Sequence, residues 1–258
     1  MTYSSRLIKA TALITDTKAL MSSWDLNLDT ATNFQVAQEN NIFGKASRSR
    51  VKDMLDIFNQ RYFYDPTVGK ALVKLVQSTV PASWINPLLF YYSAKNDVTL
   101  RDIVLEVVNP RRKAGFYDIN VDHVIRQLRD WSAKGVTTSP WGEKTIIRVA
   151  QHALAALRDF GVLEGSIQKR FIPLTLPIEA FTFITFDLMK NTGSGDKVLH
   201  SLEWGLFNLQ PNDVEKFFIE AHQQRLCEYF AAGEVIRLEF PFATYTELAD
   251  ALIKRSRS

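Results

Sequence analysis

Cysteine is almost missing from this chain. Cys227 stands alone, so no intrachain disulfide and no cysteine-built zinc site can form. Histidine is scarce as well. His123, His152, His200 and His222 lie far apart, and none has a His, Cys or carboxylate at metal-ligand spacing. Only 11 glycines and 9 prolines occur in 258 residues, which excludes collagen-like and low-complexity classes. Long apolar runs are lacking too. Crossing a bilayer takes about 20 mostly apolar residues. The best stretches, Trp84 to Tyr92 and Phe181 to Phe186, are broken by Asn86-Pro87 and ended by Asp187. The opening residues carry Lys9 and Asp16 where a secretory leader would be apolar. The expectation is a cytoplasmic protein with no membrane partner, its Cys227 a reduced thiol buried on a helix.

Catalytic signatures are equally thin. Gly44-Lys45-Ala46-Ser47 resembles the end of a phosphate-binding loop, but Glu39 stands where the first glycine belongs and Ala46 displaces the hydroxyl. Gly193-Ser194-Gly195 follows no strand, so it reads as a linker rather than a dinucleotide loop. No G-x-S-x-G elbow occurs. Asp213 and Glu215 flank a helix start, where capping accounts for carboxylates. The sequence therefore points to a protein that is not an enzyme and needs no metal and no cofactor.

What is present is a globular balance. Hydrophobic residues reach 46%, too many for disorder and enough for one large domain or two to three small ones. The net charge of +3 decides nothing until it is placed. Met1 to Pro177 holds 23 basic and 16 acidic residues, a balance of +7, while Ile178 to Ser258 holds 8 and 12, a balance of −4. Such asymmetry suggests that the first part meets a polyanion and leaves the acidic last third for protein contacts.

The fold class reads as mainly α, with helix-turn-helix or winged-helix-like units and a few short β-strands. A 3.6-residue period predicts a helix over Ser5 to Ser22. Asp29 caps a second helix to about Asn40, a turn follows through Gly44, and Ser47 caps a third. Val51, Met54, Leu55 and Phe58 give that third helix its buried face. Helices follow over about 67–79 and 82–94. Another begins at Thr99 and ends before Asn109-Pro110, because a residue before proline avoids the α region. Arg111 to Asp118 is then a basic connector. Helices over Val121–Lys134 and Glu143–Phe160 flank a turn containing Pro140; Ile147, Ala150, Leu154 and Leu157 face inward on the second. Gln168 to Leu176 is extended. Past Pro177 comes another helix, a flexible loop at Asn191–Gly195, a helix over Asp213–Ala231, a half-buried strand over Glu234–Phe240, and a final helix capped by Thr244 and Glu247. Four regions result: 1–64 with the first helix-turn-helix, 65–115 as a helical connector, 116–177 as a winged-helix-like region, and 178–258 as a helical region with a strand. The aromatics Phe58, Tyr62, Phe63, Trp84, Phe90, Tyr91 and Tyr92 recur at helical spacing and belong to the core.

The sharpest local feature is Gly44 to Lys52, four cations without an acid, at a turn and the first turns of a helix. At about 100° per residue, Arg48, Ser49 and Lys52 share an arc beside the buried face, with Arg50 on the opposite flank. Lys45 and Ser47 sit at the turn. A helix start disfavours cations unless an anion compensates, and its free N–H groups suit phosphate. This is the pattern of a second helix presented to DNA. A second candidate surface spans Lys144 and Arg148 at the start of the long helix, with Lys169 and Arg170 on the extended segment. The run Arg111-Arg112-Lys113 could track phosphates from its connector, although a solvated loop is the better reading of so short a charge run.

Several segments together resemble the BrxA family. They are Tyr3-Ser4-Ser5-Arg6-Leu7, Trp24, Asn40-Asn41-Ile42-Phe43-Gly44-Lys45 leading into Ser47-Arg48-Ser49-Arg50, and Arg61-Tyr62. The likeness is clearest over roughly the first 110 residues. It implies an accessory component of BREX bacteriophage-exclusion systems, bacterial and non-enzymatic, that binds duplex DNA beside other BREX components. Members have also been likened to an antitermination factor, which makes RNA the alternative partner; a protein-docking scaffold is the third reading. Some members carry an inner-membrane label, which this chain, lacking a spanning run, does not match. With no Asn or Gln in the basic stretch to read adenine, backbone-dominated binding with weak sequence preference is expected.

Overall fold

The computed structural model describes residues 2–233 and 235–257. In chain order its helices are α1 (Ile14–Ser22), α2 (Thr30–Glu39), α3 (Arg48–Phe58), α4 (Pro66–Gln77), α5 (Ala82–Asn96), α6 (Val98–Ile103) and α7 (Asn109–Lys113). Then come β1 (Asp118–Ile119), α8 (Val121–Ala133), α9 (Glu143–Asp159), β2 (Leu163–Glu164) and β3 (Lys169–Phe171). The last third holds α10 (Ile178–Thr192), α11 (Gly195–Leu199), α12 (Pro211–Gln223), β4 (Glu228–Ala232), β5 (Val235–Glu239) and α13 (Tyr245–Arg255). The protein is mainly α with short antiparallel strands. Among the described residues no helix is long and apolar enough to cross a membrane.

Two compact units emerge, and each is discontinuous in sequence. One comprises Met1–Tyr64 with Tyr92–Leu174; the other comprises Asp65–Tyr91 with Thr175–Ser258. The division falls inside α5.

In the first unit the chain does not form one helix from Ser5 to Ser22. A 3₁₀ turn over Ser5–Ile8 ends, Leu13 takes φ 51°, and α1 starts only at Ile14. The cause lies elsewhere in the sequence. The buried Arg61 guanidinium donates to the carbonyls of Thr11 (2.8 Å), Ala12 (3.4 Å) and Ala10 (3.4 Å). Those carbonyls would otherwise feed a helical ladder; a charged fork holds them open instead. Arg61 itself sits in a π-helical turn, Asn59–Phe63, that prolongs α3. The ring of Phe63 from that turn stacks on Trp24 at 4.1 Å.

The helix after Asp97 also outlasts its expected end. It widens into a π turn over Val104–Val108 and continues as α7 through Pro110 to Lys113. The wider turn re-spaces the carbonyls before Pro110, which relieves the clash that stops a regular helix. Arg111, Arg112 and Lys113 are therefore the last turn of a helix rather than a loop.

β1, β3 and β2 form an antiparallel sheet in that order, with Asp118 opposite Arg170 and Leu163 opposite Phe171. Around it the sequence runs helix, strand, helix, turn, helix, hairpin. α8 begins at a full capping box of Asn120 with His123. α9 buries Ile146, Val149, Ala150, Ala153, Leu154, Ala156 and Leu157. The inward stripe is thus centred one residue earlier than Ile147, which is only half-buried.

The second unit is built on α10, whose residues from Ile178 to Leu188 are all buried. α4 packs along α13, where Lys74 and Asp250 pair at 2.5 Å. The supposed helix over Asp213–Ala231 stops at Gln223 and gives way to β4. Arg225 adopts φ 59° and closes a Schellman turn, with Leu226 N–H donating to Ala221 and Arg225 N–H to His222. Glycine usually marks such a stop, so an arginine hid it. Cys227 consequently lies buried just ahead of β4 and not on a helix. β4 pairs with β5 over five residue pairs, and β5 buries Leu238 while exposing Arg237 and Glu239. Glu234, the first residue of the anticipated strand, lies outside the described residues. The expected loop at Asn191–Gly195 shrinks to Gly193 and Ser194, because α10 runs on to Thr192 and α11 starts at Gly195.

Candidate nucleic-acid interface

Charge follows the units. The first holds 21 basic and 15 acidic residues, a balance of +6; the second holds 10 and 13, a balance of −3. All 13 residues singled out from the sequence lie in the first unit.

At the start of α3 the local chemistry explains the geometry. Asn41, at φ 44°, brackets Lys45: its side chain accepts from Lys45 N–H at 3.0 Å and donates to the Lys45 carbonyl at 3.0 Å. Gly44 turns the chain at φ 59°. Ser47 then caps α3 by accepting from Arg50 N–H at 3.2 Å. Val51, Met54, Leu55 and Phe58 go inward, which leaves Arg48, Ser49 and Lys52 exposed on the arc expected from their spacing. Neither Arg48 nor Lys52 meets an acid among the described residues. Lys45 differs, pairing with Asp16 at 3.0 Å. Arg50 turns back and donates to the Lys9 carbonyl.

α9 carries Lys144 and Arg148 one turn apart on its exposed face, both without an ion-pair partner among the described residues. Gln151 continues that stripe toward the helix centre. It was not among the sequence candidates, although the spacing Lys144, Arg148, Gln151 marks one helical face. Gly142 precedes the helix and offers no side-chain cap; its carbonyl accepts from the Thr145 and Ile146 N–H groups.

His152 lies half-buried on α9. Burial holds this imidazole below the usual histidine range, and Arg148 and Arg50 push it the same way against a hydrogen bond involving the Leu7 backbone. Arg50 from α3 and Arg148 from α9 thus act on one side chain.

The remaining candidates are placed differently. Lys169 is only 7% exposed and donates to the carbonyls of Ser166 (2.8 Å) and Gly165 (3.4 Å), so its charge is spent inside the β2–β3 turn. Burial also lowers its pKa. Gly165 is required there: at φ 90°, an added Cβ would stand 2.3 Å from the Gln168 carbonyl oxygen. This pinned turn holds Ile167 outward, 90% exposed. Arg170 is exposed on β3, opposite Glu164 and Asp118. Arg111 pairs with Asp118 at 2.9 Å and lies 4.2 Å above the Phe116 ring. Arg112 lies 4.9 Å above the Phe171 ring, and burial lowers its pKa. Of that run only Lys113 is exposed without a partner among the described residues.

Of the candidates, the cations open to solvent are therefore a smaller set: Arg48, Lys52, Lys113, Lys144, Arg148 and Arg170. Such an arrangement can neutralise phosphates along a backbone. Among the described residues no three His, Cys, Asp or Glu side chains come together to hold a metal.

The BrxA family model matches residues 1–187, covering the whole first unit and ending within α10. The chain belongs to the BrxA family. Membership makes it a BREX-associated component of phage defence. A search of curated proteins returns no significant match. Both basic helices of this BrxA-family chain, α3 and α9, fall inside the matched region. The β4–β5 hairpin and α13 lie beyond it.

Proposed function

We propose that this BrxA-family chain is a non-enzymatic, cytoplasmic DNA-binding component of its BREX system, and that it holds duplex DNA mainly by the phosphate backbone. One observation carries the reading. Arg48 and Lys52 on α3, and Lys144 and Arg148 on α9, stand exposed with no ion-pair partner among the described residues, while Lys45 and Lys169 are tied to protein groups. Cations kept exposed on two helix faces have their natural complement in a polyanion.

The order α6–α7, β1, α8, α9, β2, β3, with sheet order β1-β3-β2, supports a winged-helix reading of the second half of this unit. In that reading α9 lies in the major groove and the β2–β3 turn is the wing. α2 and α3 form the first helix-turn-helix. Gln151 adds one side chain able to read adenine, so sequence preference is weak rather than nil. The other BREX components are protein partners, and the acidic second unit is the surface left for them.

The test is a salt titration on blunt duplex. With about four phosphates neutralised, log K falls against log salt with a slope near −3 to −4. The double reversal Lys144→Glu with Arg148→Glu should flatten the slope by about two, as should Arg48→Glu with Lys52→Glu. Affinity indifferent to salt, or to both reversals, refutes the reading. Duplex RNA that outcompetes duplex DNA for the same site would replace it with the RNA alternative.

A further inference from the structure

Between α7 and β1 the chain passes through Ala114, Gly115, Phe116 and Tyr117. Two aromatic rings stand in the open here: Phe116 is 51% exposed and Tyr117 is 74% exposed. Exposed neighbouring aromatics are costly unless they serve contact. Nor is this a loose segment. Gly115 takes φ 84° and closes a Schellman turn, with Phe116 N–H donating to the Arg111 carbonyl (3.3 Å) and Gly115 N–H to that of Arg112 (3.0 Å). On the other side the Tyr117 carbonyl accepts from Phe171 N–H at 2.9 Å, which ties it to β3. The backbone of Tyr117 is thus held from both ends, while its ring is left to solvent.

The surroundings are cationic. The guanidinium of Arg111 lies over Phe116, Arg112 is half-buried behind, and Lys113 projects without a partner among the described residues. Asp118, the adjoining acid, is engaged by Arg111 at 2.9 Å. An open aromatic ring on a pinned backbone, with exposed Lys113 at the end of the helix before it, matches what an unpaired nucleobase and its phosphate require: stacking from the ring and charge from the lysine. A purely apolar partner would leave Lys113 without a counter-charge.

We propose that Tyr117, with Phe116 beneath Arg111 and with Lys113, forms a stacking platform for an unpaired base of single-stranded nucleic acid. These residues lie outside α3 and α9, the helices of the duplex reading. It does not depend on the duplex reading, since it uses none of Arg48, Lys52, Lys144 or Arg148.

The experiment measures anisotropy of short labelled oligo(dT), oligo(U) and blunt duplex with the full chain and three variants: Tyr117→Ala, Tyr117→Phe and Tyr117→Leu. The exposed ring makes all three tolerable to the fold, and circular dichroism verifies that. Loss of one stacking contact predicts weaker oligo(dT) binding by Tyr117→Ala, between roughly fivefold and a hundredfold. Tyr117→Phe should bind as wild type, because the ring and not the hydroxyl makes the contact. Tyr117→Leu should bind as poorly as the alanine variant, because apolar bulk alone does not stack. Blunt duplex should bind all four proteins alike. Lys113→Ala should flatten the oligo(dT) salt slope by about 0.7. A preference between oligo(dT) and oligo(U) identifies which strand chemistry the platform takes. The proposal is overturned if wild type fails to bind either single strand, if Tyr117→Ala binds them normally, or if leucine substitutes for the ring as a protein-docking contact would allow. It is also overturned if Tyr117→Ala weakens the blunt duplex equally, which would merge this surface with the duplex site. Failure of Arg148→Glu to affect duplex binding bears on the duplex reading alone.

Discussion

Substitution of Arg61 tests the reasoning about the first unit most severely. The side chain is 3% exposed, and its guanidinium donates to the carbonyls of Ala10, Thr11 and Ala12. It also acts on Asp97, itself only 6% exposed, whose carboxyl burial holds above the usual range while Arg61 pulls it down. Arg61→Ala removes the guanidinium from three carbonyls and strands a buried acid. Breaking a buried charged contact from one side costs roughly 3–5 kcal/mol. For a domain of this size that corresponds to a urea midpoint lower by on the order of 2 M. Trp24, stacked on Phe63 beside this region, gives a fluorescence signal for it. Arg61→Lys keeps the charge but cannot fork across three carbonyls, so the loss should be smaller, roughly 1–3 kcal/mol. Adding Asp97→Asn to Arg61→Ala should restore part of the loss, because the stranded carboxylate is gone while asparagine still caps α6. A loss below about 1 kcal/mol for Arg61→Ala, or no restoration by the second change, would refute the account.

Three further outcomes follow from other buried contacts. Because the native pKa of Asp97 is raised, folding favours its protonated form. The wild type should therefore lose stability relative to Asp97→Asn as pH rises from the ordinary carboxylate value through the raised native one, which urea melts at stepped pH will show. In the second unit, Asp187 is fully buried and accepts from Tyr91 (2.6 Å) and Tyr245 (2.9 Å), so Tyr91→Phe should cost roughly 1.5–3 kcal/mol by chemical denaturation. An added Cβ at Gly195 would stand 2.5 Å from the Ile236 carbonyl oxygen, so Gly195→Ala should force α11 and β5 apart and destabilise by roughly 1–3 kcal/mol; an unshifted thermal midpoint would contradict that.

Much of the local structure was legible because its causes are local. Asp29 and Ser47 cap the helices their side chains announce, accepting from Thr32 and Arg50 N–H groups. The arc of Arg48, Ser49 and Lys52 follows from a 3.6-residue period and four apolar anchors. The misreadings share one trait, a distant or unmarked partner. Arg61 breaks the first helix from about fifty residues away in sequence. Arg225 takes a left-handed conformation that glycine normally signals. The π turn before Pro110 lets a helix pass a residue that usually stops it. At the candidate site, spacing alone could not tell a cation left free from one consumed by the fold. Lys169 and Arg170 are neighbours in sequence, yet one is buried on carbonyls and the other is open to solvent.

Composition and periodicity by themselves determined a mainly α protein that can form no intrachain disulfide and no zinc site built of cysteines, and they located the excess of positive charge before Pro177. These properties depend on residue type and on neighbours within one or two helical turns, so they survive without a tertiary structure. The tertiary structure decided which cations remain available and which surface they share. It turned Arg50 back onto the Lys9 carbonyl, withdrew Lys169 into a turn, and left the Tyr117 ring open to solvent. Burial and pairing are properties of packed elements from separate segments, and only the folded chain specifies them.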